Sequence, residues 1–142
     1  MMKNSAFDSC LEKDKIKPFS RGVALTEKEL ELASFDLERG KKNLAETDYK
    51  WATIQAYYAM FHAGRALLYV KNYREKSHHC LIIALEEFYK DNAALQNLLK
   101  EMWVAKRLRE DADYYGNYSE EGADKLLKAA GELIDLTKEI IK

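Results

Sequence analysis

Residues 57–70, YYAMFHAGRALLYV, form the stretch of sequence that decides the fold. Apolar positions in and before this stretch recur at steps of three and four, which is the spacing of an α-helix. One line along the helix, from Ala52 to Val70, is almost entirely alanine, so a neighbouring helix can approach closely there. Apolar or aromatic groups cover most of its circumference. The pattern therefore predicts the central helix of a helical bundle.

The same three-four spacing continues through the rest of the chain after residue 26, and this region contains no proline. It predicts an all-α fold with helices over about 26–47, 48–71, 77–90, 93–115 and 119–141. Four of the helix ends carry recognisable signals. Asp48, Ser77 and Ser119 are expected N-caps, and Gly116 is an expected left-handed stop.

Residues 1–25 contain Pro18, Gly22 and no sustained periodicity, so we expect a partly disordered N-terminal arm. The sequence TEKE (26–29) is typical of a capping box and predicts that the domain begins at Thr26 and continues to residue 142. A chain of 142 residues fits one such domain. The arm lacks an apolar run of signal-peptide length, and we expect a cytoplasmic protein without a membrane span. Cys10 and Cys80 are expected to be free thiols.

The overall charge argues against nucleic-acid binding by bulk electrostatics. Lys and Arg total 23 against 24 Asp and Glu, giving a net charge of −1. Any contact with an anionic partner must therefore depend on a local cluster of cations.

Two arginines occupy positions on helix faces where leucine would be expected. Arg65 lies on the face that also carries Tyr58 and His62, and Arg109 lies on the apolar line of the helix over 93–115. Since an unpaired buried guanidinium is costly, something must satisfy both. For Arg109 the structural interpretation is an ion pair with Asp113, and for His62 it is a single bond to a carbonyl oxygen.

Common catalytic motifs are missing from the sequence. It contains no glycine-rich phosphate loop, no G-x-S-x-G and no HExxH. The side chains of SHHC (77–80) point about 100° apart on a helix start and do not suit one metal ion, so we expect neither a metal nor a cofactor. Arg74 and His79 have the spacing R-x4-H, which by itself is a weak signal.

Three blocks together resemble the HEPN domain (higher eukaryotes and prokaryotes nucleotide-binding), in its small stand-alone prokaryotic and archaeal branch. They are YYAMFHAGRALLYV (57–70), REKSHHCLI (74–82) and RLREDADYY (107–115), in this order on successive helices. The resemblance covers about residues 27–140. It implies an up-and-down bundle of four or five helices, usually a homodimer, often paired with a minimal nucleotidyltransferase as toxin and antitoxin.

Many members of that family are metal-independent ribonucleases with Arg, four to six residues, then His on a late helix. In this sequence the arginine maps to Arg109, whereas Tyr114 stands in the place of the histidine. A phenol with a pKa of about 10 is a poor base near neutral pH. The family's earlier block maps to Lys76, Ser77 and His78, which form either a phosphate site or an ordinary helix cap.

Three functions follow as hypotheses. The first is a binding module for nucleotide or RNA that uses Arg109, Asp113, Tyr114 and the line of Tyr58, His62 and Arg65, with Lys76, His78 and His79 as further binding candidates. The second is a ribonuclease in which Arg109 acts with His62, His78 or His79, with Tyr114 at the degenerate catalytic position. The third is a dimerisation module whose seam is the Tyr58, His62 and Arg65 line.

Overall fold

The computed structural model describes residues 5–142 and confirms the all-α fold. Six helices and two three-residue strands follow one another along the chain: α1 (Ser5–Glu12), β1 (Ile16–Pro18), α2 (Gly22–Ala45), α3 (Tyr49–Tyr69), β2 (Tyr73–Glu75), α4 (His78–Phe88), α5 (Ala93–Tyr115) and α6 (Glu120–Ile141). The four long helices α2, α3, α5 and α6 build the bundle. The shorter α4 connects α3 to α5 and supplies residues to the core.

Helix α3 is the central helix, as the sequence predicts. It packs against α2, α4, α5 and α6, and its alanine line is fully buried. Gly64 allows α4 and α5 to approach closely, because a Cβ there would lie 3.1 Å from Leu85 of α4 and 3.3 Å from Met102 of α5. This packing holds the second half of α4 and the middle of α5 against one face of α3.

The predicted helix caps are confirmed at four places. Asp48, Ser77 and Ser119 accept hydrogen bonds from backbone amides in the first turns of α3, α4 and α6. Gly116 ends α5 with a φ of 61°, a conformation that costs glycine little.

The predicted start of α2 at a capping box is wrong. The helix begins four residues earlier, at Gly22, and the Thr26 hydroxyl donates to the Gly22 carbonyl within the helix instead of capping it. A side chain at position 22 would collide with the carbonyl oxygen of Tyr69. The close approach of α2 to the end of α3 therefore depends on glycine, a tertiary requirement that local capping signals do not report.

The predicted N-terminal arm contains regular structure where it is described. Residues 5–12 form α1, and β1 pairs antiparallel with β2 so that Ile16 lies opposite Glu75. Strands of three residues give no readable alternation, which is why the sequence did not predict them. The first four residues of the arm lie outside the described part of the chain. That residues 26–142 form a separate domain stays a prediction.

The expectation of two free thiols is wrong. Cys10 of α1 and Cys80 of α4 form a disulfide, with their Cα atoms 5.8 Å apart. The two cysteines are 70 residues apart in sequence, so only the folded chain brings them together. Within residues 5–142 no helix is both long and apolar enough to cross a membrane.

Candidate functional site

One face of α3 stays partly exposed because no helix covers it. Tyr58, His62 and Arg65 lie on this face at steps of three and four, as the sequence predicts, while the positions between them are buried. Helix α2 borders the face on one side, and β2, the start of α4 and the second half of α5 border it on the other. We call this surface the polar face of α3.

His62 lies between two carboxylates of α2. Its Nδ1 is 2.6 Å from an oxygen of Glu29, and its Nε2 is 3.6 Å from an oxygen of Asp36. Burial raises the pKa of the Asp36 carboxyl, and the charge of His62 opposes this rise. The partner of His62 is therefore a pair of acids and not the single carbonyl that we considered. These acids make the α2 side of the polar face unfavourable for an anionic ligand.

Arg65 is held by a buried acid from β2. Its Nε and Nη2 donate to the two carboxylate oxygens of Glu75 at 3.2 and 2.7 Å, and Nη1 lies 3.6 Å from Glu29. Burial lowers the pKa of the Arg65 guanidinium, but the hydrogen bond and the charge of Glu75 raise the pKa overall. The arginine stays charged, and that charge is already neutralised.

His78, the first residue of α4, lies between two aromatic rings of α3. Its imidazole stacks on Phe61 with ring centroids 4.2 Å apart and on Tyr57 with centroids 5.7 Å apart. The Arg65 guanidinium lies 4.5 Å from the Phe61 ring centroid, on which the imidazole also stacks. Ser77 fixes the start of α4 by capping it, so the position of His78 follows from the cap and from the rings.

A hydrogen bond of 2.6 Å joins His78 Nδ1 to the hydroxyl of Tyr57, whose side chain is fully buried. Burial raises the pKa of the Tyr57 phenol, although the charge of Arg109 lowers it, so the phenol keeps its proton at neutral pH. Burial, and then the charge of Arg109, lower the pKa of the His78 imidazole. His78 is therefore neutral near pH 7. Because the phenol can donate or accept, it serves either protonation state of the imidazole.

Arg109 of α5 lies on the other side of Tyr57. Its guanidinium carbon is 5.3 Å from the ring centroid of Tyr57 and 5.9 Å from those of Tyr58 and Tyr114. The predicted ion pair with Asp113 is confirmed at 3.7 Å. The side chain is only 12% exposed, and its Nε is buried without a hydrogen-bond partner among the described residues. Arg109 thus has a weaker acidic partner than Arg65 has.

The two arginines are joined through rings. Along the polar face the order is Arg65, Phe61, His78, Tyr57 and Arg109, each in contact with the next. This column of side chains connects the two arginines that the sequence places where leucine would be expected.

The remaining predicted residues lie around this column. Lys76 is exposed just before α4, and Tyr114 is 68% exposed at the end of α5 beside Tyr115 and Tyr118. His79 points to the other side of α4 and packs against Trp103. Arg74 lies over Phe19, so the Arg74 and His79 pair of the weak R-x4-H spacing makes no common site.

Three residues of this site were not predicted from the sequence: Tyr57, Glu29 and Glu75. Tyr57 was given no role; its ring is buried in the core, and its hydroxyl bonds to His78. Glu29 was assigned to a capping box, and Glu75 was placed in a polar turn. The usable signal was the need for acids near two buried cations, but sequence alone does not give their positions.

The arrangement can hold a phosphate group and move a proton. The acidic partner of the Arg109 guanidinium, Asp113, lies 3.7 Å away. The neutral imidazole of His78 and the guanidinium of Arg109 both contact Tyr57. Within residues 5–142, no group of three or more His, Cys, Asp and Glu side chains has the geometry of a metal site.

Comparisons with known proteins found a family model and a relative that match this chain. The sequence model of the HEPN domain matches residues 26–141, a range that contains every residue of the polar face. A protein of Methanocaldococcus jannaschii named "Putative toxin MJ0605" is 28% identical over 115 residues, which cover 80% of this chain and 86% of that protein. The family match leaves out α1, β1 and Cys10.

Proposed function

Since this chain belongs to the HEPN domain family, we propose that it is a toxin-type module that binds RNA through Arg109. The observation that supports the proposal is the state of this guanidinium. The Arg109 side chain is 12% exposed and contacts three aromatic rings, and within residues 5–142 its one acidic partner is Asp113, at 3.7 Å. An enclosed cation of this kind favours an anion, because the rings reduce its contact with water. A phosphate of the RNA backbone has the matching charge and shape.

The exposed tyrosines extend this site. Tyr114, Tyr115 and Tyr118 are 68, 79 and 49% exposed, and Tyr114 contacts Arg109. Base stacking on such rings contributes about 1–3 kcal/mol per base and tolerates any sequence. We assign phosphate binding to Arg109 and base stacking to Tyr114, with Asp113 orienting the guanidinium.

Affinity for a short single-stranded RNA tests this assignment. We expect Arg109→Ala to raise the Kd about tenfold or more, because a charge-assisted contact to phosphate is lost. Arg107→Ala is the matched control, since Arg107 lies on the exposed side of the same helix and makes the same change in net charge. Equal losses in both variants, or no binding by the wild type, would end the proposal.

A second candidate function is RNA cleavage with His78 as the proton-transfer group. The specific observation is that Tyr57 contacts both His78 and Arg109, so that a neutral imidazole and a cation lie beside one phosphate position. His78 would take the proton from a ribose 2′-hydroxyl as that oxygen attacks phosphorus. Arg109 would stabilise the added negative charge, and the 5′ oxygen would leave with a proton from water.

A cleavage assay in EDTA separates cleavage from binding. We expect His78→Gln to lower the cleavage rate about 100-fold or more while RNA affinity changes little. His79→Gln is the control, because that histidine faces Trp103. If the wild type cleaves no RNA, the chain is a binding module only; if His79→Gln has the larger effect, the assignment to His78 is wrong.

The partners follow as part of the same proposal. We infer a cytoplasmic homodimer that pairs with a minimal nucleotidyltransferase, as its family membership favours. Exposed apolar side chains flank the polar face, Phe35 of α2 at 62% and Trp51 of α3 at 48%. Exposed apolar side chains of this kind are typical of a contact between subunits. They are also compatible with the alternative function, a dimerisation module without a ligand. Gel filtration of Trp51→Ala and Arg65→Ala tests the seam.

A further inference from the structure

The N-terminal arm is attached to one short part of the molecule. Among the described residues, helix α1 packs mainly against α4 and β1, and β1 pairs with β2. The contacts that hold residues 5–18 include the Cys10–Cys80 disulfide, the edge-to-face contact of Phe7 with Phe88, and the β1–β2 hydrogen bonds, which the bond from Lys76 N–H to the Lys15 carbonyl extends. These three end on residues 73–88.

We propose that the Cys10–Cys80 disulfide is a redox-controlled lock that holds this arm on residues 73–80 and thereby keeps His78 in position. The inference rests on the proposed function, because His78 and Arg109 belong to the same site. It concerns how that site is regulated, and it involves a segment outside the matched family region.

The locked segment carries the two residues that the polar face takes from outside the long helices. Glu75 lies in β2 and neutralises Arg65, and His78 begins α4 two residues before Cys80. The Ser77 side chain accepts the amide proton of Cys80 itself, so the disulfide anchors the same turn that positions the imidazole. Opening the bond removes the covalent attachment of this turn and leaves the arm held by non-covalent contacts, among them the Phe7–Phe88 ring contact and the short β1–β2 ladder.

The chemistry of opening is a two-electron reduction by a dithiol. One thiolate of the reductant attacks Sγ of Cys10 or Cys80, the other protein sulfur leaves as a thiolate, and a mixed disulfide forms. The second thiol of the reductant then displaces the protein sulfur and becomes an internal disulfide. Two protein thiols result after both sulfurs take up protons.

The structure gives a reductant a place to enter. A cavity of about 180 Å³ lies between α1 and α4, lined by both cysteines, Ser9, Lys13 and His79. Both cysteines line this cavity, at 7% exposure for Cys80 and 3% for Cys10, so a small dithiol approaches the disulfide from this side. The Lys13 ammonium beside it favours an incoming thiolate.

Release of the arm is measured without RNA. We expect a dithiol to increase the rate of trypsin cleavage after Lys13 and Lys15 by about tenfold, because the arm then opens more often. The ¹⁵N imidazole signals of His78, assigned with His78→Gln, should broaden or shift on reduction, whereas those of His62 should not. A double variant, Cys10→Ser with Cys80→Ser, should behave like the reduced wild type in both conditions.

The same pair of conditions is then applied to RNA binding. We expect reduction to raise the Kd of the wild type about three- to tenfold, because the released turn of residues 73–80 must then be ordered on binding, a cost that the oxidised His78→Gln variant does not carry. The Kd of the double variant should not change on reduction. Unchanged His78 signals and trypsin rates after complete reduction would overturn the lock. Altered signals without RNA binding in either state would keep the lock and end the proposed function.

Discussion

The ion pair between Arg65 and Glu75 provides the sharpest test of how the polar face is held together. The Glu75 side chain is 5% exposed and accepts two hydrogen bonds from Arg65, whose side chain is 25% exposed. We consider Glu75→Gln, which keeps the shape of the side chain but removes its charge. An amide oxygen can still accept one bond, while the amide NH₂ faces a guanidinium N–H.

The expected loss of stability follows from these contacts. Removing one partner of a buried ion pair typically costs about 3–5 kcal/mol, because the other charge is left uncompensated. Here Glu29 stays 3.6 Å from Arg65, and water reaches the exposed quarter of the guanidinium, so the loss is smaller. We expect Glu75→Gln to lower the free energy of unfolding by about 2–3 kcal/mol, which lowers Tm by about 6–12 °C.

Thermal and urea unfolding followed by circular dichroism measure this change. Glu38→Gln is the matched control, because Glu38 pairs with Lys41 at 3.5 Å while its side chain is 73% exposed. That substitution should change the free energy of unfolding by less than about 0.5 kcal/mol. A double-mutant cycle with Arg65→Met should give a coupling energy above about 1 kcal/mol. Equal effects of Glu75→Gln and Glu38→Gln would refute the reasoning.

The other predictions concern single contacts. Gly22→Ala should lower the free energy of unfolding by about 1–3 kcal/mol, because the new Cβ meets the Tyr69 carbonyl. Urea unfolding measures this loss. Gly131→Ala is the control with the smaller expected loss, because its Cβ meets only the flexible Leu37 side chain, at 3.8 Å. Because the fold lowers the pKa of His78, the unfolded chain binds a proton at this residue more tightly than the folded chain does. The free energy of unfolding should therefore be unaffected by His78 above about pH 6.5 and should decrease as the pH falls below that value. His78→Gln should flatten that part of a Tm-against-pH curve, and an unchanged slope would contradict it. Reduction of the disulfide should lower the free energy of unfolding by about 2–4 kcal/mol, seen as a lower Tm in dithiothreitol that the double serine variant does not show.

Much of the fold could be predicted from local sequence. The apolar spacing predicted five helices and identified the one over about 48–71, observed as Tyr49–Tyr69, as the central helix, because a helix that is packed on most of its sides is apolar over most of its circumference. The caps at Asp48, Ser77 and Ser119 depend on a side chain and an amide only three residues away. Such features are local, so the sequence contains them directly.

The start of α2, the two short strands and the disulfide could not be predicted in this way. Gly22 is needed because of Tyr69, β1 forms because β2 lies beside it, and Cys10 reaches Cys80 across 70 residues. Each depends on a contact between distant parts of the chain, and a local pattern carries no information about such a contact.

For the candidate site, the sequence by itself determined that Arg65 and Arg109 lie on inward helix faces and that each needs a partner, because an unpaired charge is not tolerated there. It also placed Asp113 one turn from Arg109. Only the tertiary structure decided which charges are already neutralised, by bringing Glu29 and Glu75 from α2 and β2 to Arg65. It also decided which histidine accompanies Arg109, because ring stacking between α3 and the start of α4 selects His78 through Tyr57.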